Sequence, residues 1–132
     1  MEFIHHGVVL ARLIRSSEII FNELNFYSLP DEGIQFGTWG YDKGKSLAAH
    51  NHKKHDKLSL RTSELIFVLS GGLKVSLYTE LDEILSEFTI LVGDVLICLA
   101  GGHGYEVLED GTKILEIKNG PYFGTEVDRR RI

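Results

Sequence analysis

Histidine is the residue type whose placement in this chain could do chemistry. His50 and His52 stand two apart at the end of the run Gly44-Lys-Ser-Leu-Ala-Ala-His50-Asn-His52. On a strand, residues two apart share a face at roughly 7 Å spacing, so two imidazoles so placed can lean onto one metal ion through bonds of about 2.0–2.1 Å. A partly exposed polar pair is the plainer alternative. Glu64 opens the apolar run Glu64-Leu-Ile-Phe-Val-Leu-Ser-Gly71. Burying its carboxylate is costly unless it is paired or bound to a cation; at an edge it would reach water instead. His103 follows the apolar run Val95–Ala100 after Gly101 and Gly102. Glycine lets the backbone bend tightly there and leaves room beside the ring, the alternative being a loop histidine facing solvent. His5 and His6 follow the initiator closely and read as surface residues.

The elements that must position these side chains read as strands. Glycine is frequent (14), proline is rare (2), and turn signals recur every eight to twelve residues or so, the rhythm of an all-β domain. The expected strands are Val8–Arg15, Ile19–Tyr27, Ile34–Tyr41, Leu47–His52, Glu64–Ser70, Leu73–Thr79, Ile84–Leu91, Val95–Leu99, Tyr105–Glu109 and Lys113–Lys118. Leu73, Val75 and Leu77 alternate with Lys74, Ser76 and Tyr78, which sets one face inward. Leu81, Ile84, Leu85 and Phe88 also fit a helical period, but β-branched Thr89 and Ile90 and the Gly93-Asp94 turn favour a strand. Asp110-Gly111 is a hairpin signal between two runs, and Gly71-Gly72 marks another reversal.

A chain of 132 residues with 43% hydrophobic residues is enough for one core and short for two domains, so residues 1–132 read as a single domain. A net charge of −5 repels phosphate backbones and argues against nucleic acid. No stretch approaches the roughly 18–20 apolar residues of a membrane span, and the N-terminus lacks the features of a secretion signal. Cys98, the one cysteine, cannot form an internal disulfide and sits in an apolar run, which reads as a buried thiol in a cytoplasmic protein. The basic run Arg129-Arg130-Arg131 reads as solvated.

Residues 44–71 resemble the leading motif of the cupin family: Gly44, His50, His52, Glu64 and Gly71 take its positions. Residues 93–103 resemble the trailing motif through Gly93, Gly101 and His103. The resemblance implies an all-β, double-stranded β-helix (jelly-roll) barrel. It further implies one divalent transition metal held by His50, His52, Glu64 and His103. The chain departs from the pattern in four places, one being that Gly104 rather than the usual asparagine follows His103. Eleven residues separate His52 from Glu64 where the family has three or four, so His55 in this insert competes with Glu64 as a ligand. Leu99 stands where proline is usual, and His103 arrives one residue early. Iron, zinc, manganese and nickel all suit such ligands.

The expectation that follows is a metal-dependent enzyme acting by Lewis-acid chemistry on a small polar metabolite, such as a sugar derivative. Arg61 or Tyr105 would orient the substrate, and no catalytic base is identified. Three alternatives share the residues: a non-catalytic sensor, an iron dioxygenase, and a metal-free isomerase or epimerase of deoxysugar nucleotides using histidine acid–base chemistry. Trp39, Tyr41, Tyr78 and Tyr105 are candidates to line the barrel mouth. Tyr122 and Phe123 would fold back over the pocket or anchor the tail. The segment Phe3–Arg15 would pair with a neighbouring subunit in a homodimer and so cover a sheet edge.

Overall fold

Alternation of apolar side chains sorts the strands into layers. The computed structural model describes residues 1–52, 61–121, 123–128 and 130–132. Along them run β1 (Glu2–His5), β2 (Val8–Ile14), β3 (Glu23–Phe26), β4 (Gly37–Gly40), β5 (Glu64–Ser70), β6 (Gly72–Tyr78), β7 (Ile84–Leu91), β8 (Val95–Cys98), β9 (Gly102–Val107) and β10 (Lys113–Lys118). Among the described residues, helix is confined to a 3-10 turn at Ser16–Glu18 and one helical turn, α1 (Thr125–Asp128).

All pairings are antiparallel. A five-stranded sheet runs β1-β2-β8-β5-β10, a three-stranded sheet runs β7-β6-β9, and β3 pairs with β4. From β5 onward the chain alternates between the two larger sheets, with β6–β7 the only hairpin within one sheet. The main core lies between those sheets: Ala11, Leu13, Ile66, Val68, Leu96 and Cys98 from one side meet Leu73, Val75, Leu77 and Ile90 from the other. Strand periodicity turns the intervening residues Ile14, Leu65, Val95 and Ile97 to the opposite face, where Ile34, Tyr27 and Phe36 cover them.

Several expectations need correction. Residues 47–52 form no strand: they are irregular and exposed, so alternation there has no burial to enforce it. Asp110-Gly111 is a turn, with Gly111 at φ +75°, but it joins β9 to β10 across different sheets and makes no hairpin. β9 begins at Gly102, so His103 sits in a strand rather than a turn. Residues 3–15 form two strands rather than one, β1 folding back on β2 through His6-Gly7 and standing at the edge of the sheet. The three sheets remain separate, so no closed barrel forms among the described residues. The helical period over 81–88 yields to strand β7.

Candidate acid–base pocket

Parity carries Glu64 inward. Ile66 and Val68 face the core, and Glu64, two residues before Ile66, shares that face with only 5% of its surface exposed. Cys98 on β8 and Lys118 on β10 stand opposite it in register on either side. Across the gap, His103 and Tyr105 of β9 lie opposite the core residues Leu77 and Val75 of β6. Five side chains from four strands therefore meet at one end of the sandwich.

The Glu64 carboxylate is the hub. Lys118 Nζ donates to its Oε2 at 2.7 Å, and His103 Nε2 lies 3.4 Å from its Oε1. Tyr105 Oη donates to the same Oε1 at 3.3 Å and lies 3.7 Å from Cys98 Sγ. Lys118 also bridges to Glu116 at 2.9 Å. Burial acts to raise the Glu64 pKa, but hydrogen bonds from His103 and Lys118 outweigh it and hold the group at about 2. Burial alone would lower His103, whereas contacts with Cys98 and Glu64 carry it up to about 10. Burial, reinforced by Cys98 and Glu64, pushes the Tyr105 phenol above its usual range. At neutral pH the site thus presents an imidazolium, an ammonium and a phenol around one carboxylate.

These groups form the floor of an open cavity of about 1070 Å³, whose walls include Arg61, Tyr78, Glu80 and Asn119. That is room for a sugar-sized ligand or a larger one. The chain matches no family model, no curated protein and no solved structure. The site's own chemistry is therefore what speaks to its use.

Of the expected metal ligands, Glu64 and His103 come together. His50 and His52 are exposed on the irregular segment, rings 5.0 Å apart, and neither lines this cavity. His50 Nδ1 lies 3.1 Å from the Ala48 carbonyl. His55 lies outside the described residues, as does Tyr122. Among the described residues no group of three or more His, Cys, Asp or Glu side chains is placed to hold a metal ion. The floor as arranged does not suit one: the Glu64 carboxylate faces the Lys118 ammonium, whose charge would repel a divalent cation there. Arg61 lines the cavity and pairs with Glu80. Tyr105 and Tyr78 also line it, while Trp39 and Tyr41 stack on each other away from it.

Lys118 and Glu116 escaped the sequence reading. Leu115 and Ile117 alternate with them and suggest that the apolar pair points inward; instead it is exposed, and Glu116 and Lys118 line the cavity while Ile114 packs on the core. A usable signal was present in Glu64 itself. A buried carboxylate needs a cation, and the last strand carries one.

Proposed function

We propose that this chain is a cupin-like double-stranded β-helix whose pocket moves a proton on a small polar metabolite without using a metal. The strand order supports the fold reading, because the chain passes repeatedly between two antiparallel sheets, as in a jelly roll. The observation that carries the activity is the buried Glu64 carboxylate in contact with both His103 and Lys118 at the floor of an open cavity.

The reaction class is isomerisation or epimerisation at a carbon next to a carbonyl, as in a keto sugar. In its neutral form, His103 takes the proton from that carbon. The electron pair moves into the carbonyl, and the resulting enolate oxygen is stabilised by a hydrogen bond from the Lys118 ammonium, which has three N–H bonds and two carboxylate partners. Glu64 stabilises the imidazolium formed. Return of the proton to the former carbonyl carbon, with the proton of the neighbouring hydroxyl passing to the enolate oxygen, gives the isomer; return to the original carbon after the enolate has turned its other face to His103 gives the epimer. A second reading, the metal-dependent enzyme, draws on the adjacent rings of His50 and His52.

The test is proton–deuterium exchange into a panel of keto and aldo sugars and their phosphates, followed by NMR in D2O. Chelator-treated protein should label at least one of them at the carbon beside the carbonyl. His103→Asn should reduce that rate by about 10²-fold or more. Exchange that appears only after Fe, Mn, Zn or Ni is added supports the metal reading instead. Tight binding without exchange makes the chain a sensor.

A further inference from the structure

The segment that follows β10 forms one wall of the cavity, through Phe123, Val127, Arg130 and Ile132. Its helical turn α1 spans four residues, too few to hold itself in place, so its position depends on the contacts of its neighbours. Arg130 and Ile132 make two of them. The Arg130 guanidinium binds both carboxylate oxygens of Asp82 at 2.7 Å each and reaches the Glu80 carbonyl at 3.4 Å. Ile132 sits over Gly102, so close that a Cβ on that glycine would collide with it, one residue from His103.

The two sides of this contact differ in firmness. The Asp82 turn is braced: Thr79 Oγ1 accepts from the amides of Leu81 and Glu83, and the Thr79 amide donates to the Glu83 carbonyl at 2.8 Å. Before α1, by contrast, Gly124 stands at φ +98°, a conformation that suits glycine, with no heavy atom within 4 Å of where a Cβ would lie. The Arg130–Asp82 pair itself lies at the surface, where water and salt weaken it.

We propose that the strap carrying Val127, Arg130 and Ile132 is a hinged gate to the pocket, latched to the Asp82 turn by Arg130. Opening frees the cavity wall beside His103 and admits ligand; closing restores the wall. This rests on the cavity being the functional one, but its test needs no turnover. Cys98, the one cysteine, does not line the cavity but is buried 3.7 Å behind the Tyr105 hydroxyl that does, so its alkylation reports loosening of the pocket floor.

The experiment measures two rates on the full chain: iodoacetamide reaction at Cys98, and amide exchange over residues 78–82 and 100–104. Arg130→Ala should raise both by about twofold to fivefold. Raising NaCl to about 0.5 M, which shortens screening to about 4 Å, should do the same to the unaltered protein and little more to the variant. A chain truncated after Gly124 should exceed both. The swapped pair Asp82→Arg with Arg130→Asp should return both rates to their starting values. Unchanged rates in Arg130→Ala and in the truncated chain overturn the gate, and failure of the swap to restore them overturns the latch. Loss of sugar exchange in the metal-free protein would instead strike the proposed reaction and leave these rates untouched.

Discussion

Lys118 decides the character of this pocket. Its ammonium supplies the positive charge that the buried Glu64 needs, at 2.7 Å, and so takes the place a cation would otherwise fill. Replacing it by Met removes one of the partners of that carboxylate. Lys118→Met should destabilise the fold by about 1–3 kcal/mol, a value kept low because part of the lysine reaches water, and urea unfolding measures it. The same change should depress the sugar exchange rate by removing one donor to the enolate oxygen. Glu64 and His103 could be read in the sequence because each interrupts or ends an apolar run, where a polar side chain needs a reason. Lys118 could not, because the alternation of Leu115 and Ile117 points to the opposite face. That face is exposed here, so the apolar pair misreports the inside.

Turns that place the strands carry much of the order at the scale of elements. Asp94, buried at the β7–β8 corner, accepts from the Ser16 amide at 2.9 Å, the Leu91 amide at 3.1 Å and Arg15 Nη1 at 2.6 Å. Asp94→Ala leaves those donors unsatisfied and should cost about 2–3 kcal/mol, again by urea unfolding. Gly101 stands at φ +69° with the Tyr78 carbonyl where a Cβ would fall. Gly101→Ala should therefore destabilise by about 2 kcal/mol or more and disturb His103 two residues on. Strand β6 was legible because burial on one face enforces its alternation, and β8 because it is a short run buried throughout. Residues 47–52 misled for the opposite reason: nothing buries them, so alternation carries no structural consequence. Between β2 and β5, Phe21, Leu24, Phe26 and Trp39 are exposed, and the strands there proved shorter than their apolar content suggested.

For the whole molecule, the paired groups predict how stability depends on pH. Glu64 has its pKa depressed from 4.5 to about 2, so its contribution is present above 4.5 and is lost as pH falls toward 2. His103 has its pKa raised from 6.5 to about 10, so its contribution is present below 6.5 and is lost as pH rises through 10. Stability from this centre should peak between pH 4.5 and 6.5. The acid limb should lose about 3 kcal/mol, and Glu64→Gln should flatten both limbs in a denaturation series across pH. The catalytic rate should instead climb with pH, about tenfold per unit between 7 and 9, because the base is the minor neutral form of His103. Leu69, Leu115 and Ile117 are exposed, and among the described residues β10 pairs on one side alone, so a homodimer through its other side is the assembly expected in light scattering.

The union of His103 with Glu64 underlies both the reaction and the pH behaviour, and the titration of that one ring by NMR tests it most directly. The ring should remain protonated until pH approaches 10, should titrate lower in Glu64→Gln, where Cys98 still holds it up, and lower again when Cys98→Ala is added. A His103 ring that loses its proton near 6.5 in the unaltered protein would contradict the account.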